Sequence, residues 1–207
     1  HDQVRIIGRV GIQQARIAAM LLLTLRGTPT VYYGDEIGMR DVPIPFEEVQ
    51  DPQGLNMPEK NLSRDPSRTP MQWDASDHAG FTTGAPWLRL DRNYKKINVE
   101  KESSDESSMF SLYKALIHLR QSEPSLVYGH YIPVFSDHQM IAYIRSAEGH
   151  DRFLIVLNLT HKPCYFNTQK EQYTGIIECS ASPDLKGQAI SGSINLSGDE
   201  GVIIRLS

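Results

Sequence analysis

The sequence predicts a mixed fold in which an α/β part is followed by an all-β part. Residues 13–26 have a helix-forming composition that ends at Gly27, with Pro29 just beyond it, and the β-rich run "TVYY" follows at residues 30–33. A helix followed by a strand is one piece of an α/β repeat. After Leu126, short β-rich runs alternate with turn-like stretches, which is typical of an antiparallel β-sandwich.

Composition places the chain among ordinary globular proteins and narrows its partners. It has 207 residues, of which 40% are hydrophobic and 22% charged, enough to bury a core. A formal net charge of −4 without a Lys/Arg cluster predicts no nucleic-acid partner and no anionic membrane surface. The longest apolar stretch, residues 17–25, is too short to span a bilayer, so we expect no membrane segment in this chain.

Neither the cysteines nor the acidic turns predict a metal site. Cys164 and Cys179 lack metal or redox spacing, so either two free core thiols or one bridge remains open, and buried reduced thiols are favoured. Asp74, Asp77 and His78 lie close together, but their spacing matches no calcium loop. We predict no cofactor and no metal.

Residues 41–103 form a long stretch without sustained periodicity. A connection of this length is either disordered or functional. Its aromatic and aliphatic residues offer apolar surface that could fix it against a scaffold, which argues against disorder: Trp73, Phe81, Trp87, Leu88 and Leu90. We therefore predict an ordered excursion that covers a site.

A helix is predicted after this excursion, and the β-rich half follows it. Ser103 and Glu106 form a candidate capping box, and leucines then recur on one helical face up to Pro124. The β-rich runs are "YIPVF", "MIAYI", "FLIVLNL", "TGIIEC", "SINL" and "GVIIRL". The predicted domains are residues 1–124 for the α/β part and residues 125–207 for the sandwich.

The first two residues, His1 and Asp2, are a weak signal alone but gain meaning from their context. The pair precedes a helix, and the strand after that helix ends in "YYGDE". This order fits an imidazole and carboxylates on the loops at the carboxyl-terminal face of a β/α barrel, where the active sites of such barrels lie.

Three motifs in order carry a resemblance to a known family. "HDQVRI", "GTPTVYYGDEIGM" and "RDPSRTPMQWD" resemble the C-terminal third of the α-amylase family of glycoside hydrolases (family 13), within its α-glucosidase and oligo-1,6-glucosidase branch. The resemblance covers nearly the whole chain and is weaker after about Pro124. It implies the C-terminal part of a (β/α)8 TIM barrel, from the end of strand 7 to helix 8 with residues 41–103 as the strand 8 loop, followed by a β-sandwich domain.

The resemblance assigns a role to the opening pair. The family motif is Asn-His-Asp at the end of the seventh strand, so the chain is expected to begin inside a catalytic motif. Asp2 is implied to be the third catalytic acid, hydrogen-bonded to hydroxyls of the glucose being cleaved, with His1 in the same subsite. The family's nucleophile and acid/base lie on earlier strands, and Asp35 and Glu36 belong to a mainly structural motif. This fragment alone is therefore predicted to be inactive.

Arg64 and Arg68 are candidate substrate-binding residues with two open interpretations. Arginine makes directed, multiple hydrogen bonds, so either side chain could reach the sugar. Equally, they could pair with Asp65 and Asp74 to hold the loop in shape, while the resemblance places Arg68 near the aglycone side of the site. Trp73 is interpreted as a packing residue.

Arg5 and Val4 bear on the charge and the specificity of the site. Arg5 either pairs with active-site carboxylates in the intact barrel or is a surface residue at the start of the helix. Related sequences often have Pro at the position of Val4, so preference for α-1,4 or α-1,6 bonds stays open.

The main hypothesis is a retaining, exo-acting α-glucosidase acting on oligosaccharides such as maltose, isomaltose or sucrose. One alternative is a glucosyl-transferring sugar isomerase or synthase of the same fold. Two others are a non-catalytic, transporter-associated family member, which has no need of His1 and Asp2, and a free-standing carbohydrate-binding module, which leaves the first 125 residues unexplained. The usual localisation of this α-glucosidase branch and the two cysteines without a pairing pattern favour a location in a bacterial cytoplasm.

Overall fold

The computed structural model describes residues 1–167 and 172–207. Contacts within the chain define two compact units, His1–Ile12 with Val31–Ser111 and Gln13–Thr30 with Leu112–Ser207. The helices are α1 (Ile6–Thr24), α2 (Pro52–Asn56), α3 (Val99–Ser104), α4 (Met109–Ser122) and α5 (Pro124–Val127). The strands are β1 (His130–Ser136), β2 (Met140–Ser146), β3 (Phe153–Asn158), β4 (Cys164–Phe166), β5 (Thr174–Ser180), β6 (Ala189–Ser191), β7 (Ile194–Leu196) and β8 (Gly201–Leu206).

The β-rich half is a sandwich of two antiparallel sheets, as predicted. The larger sheet has the strand order β1-β2-β3-β8-β5-β6, and the smaller sheet pairs β4 with β7. Apolar side chains from both sheets share one core, which includes Ile144, Val156, Phe166, Leu196 and Val202. Each of the six predicted β-rich runs overlaps a strand, and among the strands of the described residues the three-residue β4 and β6 were not predicted.

Within the same unit, the opposite face of the larger sheet receives helix α1. Thr24 and the buried Tyr143 on β2 share a hydroxyl hydrogen bond of 2.6 Å. A Cβ atom at Gly201 would come within 3.0 Å of the Met20 sulfur and 3.2 Å of Ile17. The absence of a side chain at Gly201 therefore lets α1 approach β8 closely.

Two buried arginines hold the carboxyl-terminal end of α1. Arg120 donates to the carbonyl oxygens of Leu23, Leu25 and Gly27 at 2.9, 3.0 and 2.6 Å. Arg145 donates to the carbonyl of Thr24 and, at 3.1 Å, to that of Gly129. The last carbonyls of a helix lack intrahelical partners and favour nearby positive charge. Both guanidiniums satisfy these orphan groups, at the cost of a burial that lowers the pKa of each arginine.

Helix α1 meets the length and composition expected of a membrane span, but a break near its start shortens its regular part. Gly11 has φ 77° and ψ 167°, which interrupts the helix and leaves residues 12–24 as its regular part. Thirteen residues at about 1.5 Å each give about 20 Å, less than the ~30 Å of a bilayer core. The apolar residues Ala15, Ile17, Ala19, Met20 and Leu23 are buried.

In the unit that contains His1–Ile12, the predicted strand at residues 30–33 is not formed. A strand exists through its hydrogen-bonded neighbour, and none of the residues that the structure describes pairs with this run. Gly34 follows with φ 87°, where a Cβ atom would lie 2.6 Å from the Met39 sulfur. Ile37, Met39 and Met71 form the small core of this unit.

The excursion at 41–103 is built from short helices rather than one structureless loop. Besides α2 and α3, it contains the 3-10 turns Phe46–Glu48, Pro58–Lys60, Asp65–Ser67, Asp77–Gly80 and Arg92–Lys95. Leu88 is buried, whereas Trp73 and Trp87 are 50% and 58% exposed, so neither tryptophan is packed into a core of the described residues. The expected capping box is also wrong, because Ser103 lies in the last turn of α3, and the leucine-bearing helix α4 begins only at Met109. There Ser108 Oγ accepts the backbone N–H of Ser111 at 3.0 Å.

Candidate active site

Two tyrosines of the "TVYY" run hold the segment that carries the candidate arginines. The Tyr32 hydroxyl donates to the carbonyl of Ser67 at 2.9 Å, and the Tyr33 hydroxyl donates to the carbonyl of Thr69 at 2.6 Å. Arg68 lies between these two anchored residues. The tyrosines therefore fix the backbone position from which the Arg68 side chain extends.

Three side chains meet at one oxygen of Asp2. Arg68 Nη2, Arg64 Nη1 and His1 Nε2 lie 2.7, 3.3 and 3.2 Å from Asp2 Oδ1. Arg68 Nε also donates to the His1 carbonyl at 3.1 Å, and Ser67 Oγ does so at 3.3 Å. Among the residues that the structure describes, none donates a hydrogen bond to Oδ2, and the Asp2 side chain is 53% exposed. The carboxylate is thus oriented from one side and open on the other.

Arg64 is itself held by a second carboxylate, Asp51. Arg64 Nη2 and Nε donate to Asp51 Oδ1 and Oδ2 at 2.6 and 2.9 Å, and the Arg64 backbone N–H donates to Oδ2 at 2.8 Å. Asp51 is buried and caps α2 through the N–H of Gln53. These hydrogen bonds hold the pKa of Asp51 well below its usual range, so Asp51 stays ionised.

Arg5 is buried rather than a surface residue at the helix start. Its guanidinium carbon lies 4.7 and 4.8 Å from the ring centroids of Tyr32 and Tyr33, and Nη1 lies 3.8 Å from Asp35 Oδ1. Nε and Nη2 have no hydrogen-bond partner among the described residues. Burial raises the pKa of Asp35 to about 6, against the opposing charge of Arg5.

All four sequence-predicted site residues, His1, Asp2, Arg64 and Arg68, come together at one place. The alternative partners expected for the arginines are not used. The Asp65 carboxylate instead accepts the backbone N–H groups of Gln50 and Asp51, and the Asp74 carboxylate accepts the N–H of Ser76.

Asp51 is the residue of this cluster that sequence reasoning missed. Its signal was the Asp51-Pro52 dipeptide, in which the aspartate caps a helix whose first residue is proline. That signal predicts a helix start, whereas the pairing with Arg64, 13 residues away, depends on how the chain turns back.

The thiols are both free in the structure. Cys179 is buried on β5, whereas Cys164 on β4 is half-buried and lies 4.0 Å from the Met140 sulfur. Burial raises the pKa of both thiols, to about 11 for Cys179. Neither has the exposed, electropositive surroundings of a reactive cysteine.

Comparison with protein families and with curated proteins identifies the family. A family model for the α-amylase catalytic domain matches residues 1–129. The chain is 36% identical over 196 residues to an oligo-1,6-glucosidase of Bacillus cereus, covering 83% of the chain and 35% of that protein. It is 40% identical over 182 residues to an oligo-1,6-glucosidase of Halalkalibacterium halodurans, covering 76% of the chain and 32% of that protein. The chain thus spans about a third of the length of these relatives.

Solved structures agree with this family and with the fold. Trehalulose synthase MutB from Pseudomonas mesoacidophila MX-45 superposes with a TM-score of 0.90 at 30% identity, over 100% of this chain and 42% of that one. A mutant of MutB in complex with the substrate sucrose gives a TM-score of 0.89 at 31% identity, with the same coverage. The chain therefore belongs to the α-amylase family of glycoside hydrolases, within its α-glucosidase and oligo-1,6-glucosidase branch.

Proposed function

We propose that the chain is the C-terminal part of a retaining, exo-acting α-glucosidase that hydrolyses terminal α-linked glucose from short oligosaccharides. The observation that carries the proposal is the convergence of Arg64, Arg68 and His1 on Asp2 Oδ1, which leaves Oδ2 open. The oligo-1,6-glucosidase names of the relatives support the substrate class.

The geometry suits a carboxylate that supports the reaction instead of attacking the sugar. A retaining glycosidase passes through an oxocarbenium-like transition state, made with one nucleophilic carboxylate and one acid/base. Hydrogen bonds from sugar hydroxyls to an ionised carboxylate strengthen as the ring flattens, which lowers the barrier. In this account Asp2 Oδ2 accepts those hydroxyls, and the guanidiniums of Arg64 and Arg68 hold the carboxylate in position through Oδ1.

The covalent step needs two further carboxyl groups, which we assign to parts of the protein outside these 207 residues. Asp51 and Asp65 are buried and committed to Arg64 and to backbone N–H groups, respectively. On this proposal residues 1–124 complete the catalytic barrel and residues 125–207 form the C-terminal β-sandwich domain. The isolated chain is then inactive.

A second function has specific support. The trehalulose synthase neighbour is named for making a sugar isomer, and its overlap covers the whole chain. Transfer of the glucosyl group to another sugar uses the same covalent intermediate and differs in the exclusion of water. Sucrose isomerisation is therefore the alternative that the experiment must separate.

The test uses the full-length protein that contains this chain. It is incubated with p-nitrophenyl α-glucoside, isomaltose, maltose and sucrose, and products are followed by NMR so that the anomer first released is seen. The proposal predicts release of α-glucose from the nonreducing end. Isolated chain 1–207 is assayed beside it and is expected to show no turnover.

The outcomes are distinct. Release of β-glucose would contradict a retaining mechanism, and formation of a sucrose isomer with little free glucose would favour the transferring enzyme. No turnover of any of these sugars by the folded full-length protein would reject both enzymatic functions.

A further inference from the structure

The buried Asp51 carboxylate anchors the Arg64 side chain. Its side chain has no solvent exposure, and it accepts three hydrogen bonds from Arg64, two from the guanidinium and one from the backbone N–H. Paired, charge-assisted bonds of this kind fix both the position and the plane of a guanidinium. Arg64 therefore has little freedom to move its remaining nitrogen, Nη1.

The backbone that carries Asp51 is also fixed. Asp65 Oδ2 accepts the N–H groups of Gln50 and Asp51 at 2.7 and 2.9 Å, and Asp65 is buried. Asp65 directly follows Arg64 in the sequence. The two aspartates thus tie residues 50–51 and 64–65 together from both sides.

The third nitrogen of the Arg64 guanidinium is turned toward the candidate catalytic residue. Nη1 lies 3.3 Å from Asp2 Oδ1, on the same oxygen that Arg68 contacts at 2.7 Å. The Asp2 side chain is 53% exposed. Among the described residues, the side chains that contact its carboxylate are those of Arg64, Arg68 and His1.

We propose that Asp51 is a positioning residue for the Asp2 carboxylate, acting through Arg64, so that Asp2 Oδ2 faces the sugar. The inference rests on the proposed function and deepens it. It also changes the role of Arg64, which holds a catalytic carboxylate instead of binding substrate. Asp51 itself touches no substrate.

The first test is Asp51→Asn in the full-length protein, assayed on p-nitrophenyl α-glucoside. Asparagine keeps the size of the side chain but loses the charge and one acceptor oxygen. The guanidinium of Arg64 is then no longer held in a fixed plane by paired hydrogen bonds. Because the Asp2 contacts tighten in the transition state, we expect kcat to fall about tenfold while KM stays within about twofold. Rates are measured well below the melting temperature and normalised to the folded fraction from circular dichroism.

The chain offers a matched control in Asp91. This buried aspartate also pairs with an arginine, Arg40, at 2.6 and 3.4 Å, and caps a short helical turn through the N–H of Asn93. The described residues show no contact between this pair and Asp2. Asp91→Asn is expected to lower the melting temperature and to leave kcat within about twofold of wild type.

A double-mutant cycle shows whether Asp51 acts through Arg64. Arg64→Gln is made alone and with Asp51→Asn. Because Asp51 has nothing to position once the guanidinium is gone, the double variant is expected to match Arg64→Gln in kcat, with no further tenfold loss. Independent, multiplying losses would overturn the proposal.

The remaining outcomes are assigned as well. Wild-type kcat in Asp51→Asn, or an equal loss in Asp91→Asn, would overturn the positioning role while leaving the proposed function standing. If Asp2→Asn keeps full activity, the proposed function itself fails, whatever Asp51→Asn shows.

Discussion

Arg68 makes hydrogen bonds to both residues of the candidate catalytic dipeptide, His1 and Asp2. Nη2 lies 2.7 Å from Asp2 Oδ1, and Nε donates to the His1 carbonyl at 3.1 Å. The planar guanidinium spans the backbone of one residue and the side chain of the next. The side chain and the peptide plane of the pair are thereby fixed together.

Arg68→Lys is expected to weaken catalysis although it keeps the positive charge. A lysine ammonium is a point charge that cannot reproduce both directed hydrogen bonds. We expect kcat/KM of the full-length protein on p-nitrophenyl α-glucoside to fall about 10–100-fold. Arg40→Lys, which alters the guanidinium that pairs with Asp91, is the matched control and should leave kcat/KM unchanged. Similar losses in both variants would contradict this account.

The two buried arginines at the end of α1 each predict a loss of stability when replaced. Arg120→Met removes the donor to the buried carbonyl of Leu23 and to the part-buried carbonyls of Leu25 and Gly27. Arg145→Met removes the donor to the buried carbonyls of Thr24 and Gly129. Each orphaned buried group costs about 1–3 kcal/mol. Calorimetry should show a lower melting temperature for both variants than for the wild type.

The control for this comparison is the exposed Arg152, whose replacement by Met should change the melting temperature by very little. A melting temperature of Arg120→Met equal to or higher than that of the wild type would show that burying the guanidinium costs more free energy than its hydrogen bonds contribute.

The two thiols should differ in reactivity. With the pKa of Cys179 raised to about 11, almost no thiolate exists at pH 8, and the side chain is also buried. Ellman's reagent should modify Cys164 slowly and Cys179 only after unfolding. Cys164→Ser and Cys179→Ser assign the two phases. Rapid modification of Cys179 in the native protein would contradict its burial.

The strands of the sandwich were predictable because their signal is local. Runs such as that of β3, with six consecutive buried residues, show their burial directly in their composition. The strand expected at residues 30–33 failed for the opposite reason, since its existence depends on a neighbouring strand. Tyr32 and Tyr33 instead donate hydrogen bonds from their hydroxyls to the backbone carbonyls of residues 67 and 69, on either side of Arg68.

The four residues predicted for the candidate site lie together in the structure, but the hydrogen-bond partners of its arginines were not predicted. His1, Asp2, Arg64 and Arg68 were found through motifs, yet the expected partners Asp65 and Asp74 bind backbone N–H groups. Sequence proximity favoured these aspartates, whereas the burial of Asp51 and the return of the chain decided the pairing. Such contacts depend on tertiary structure and leave no periodic signal.

The most direct test of the central claim is the activity of Asp2→Asn in the full-length protein on p-nitrophenyl α-glucoside. Asparagine keeps the shape but loses the negative charge that Arg64 and Arg68 hold in place. We predict that kcat/KM falls by about 100-fold or more, because the charge that accepts the sugar hydroxyls in the transition state is lost. The melting temperature of the variant is measured beside its activity, so that a loss of folding is separated from a loss of catalysis. Activity equal to wild type would contradict the assignment of Asp2 as a catalytic acid, and with it the site described above.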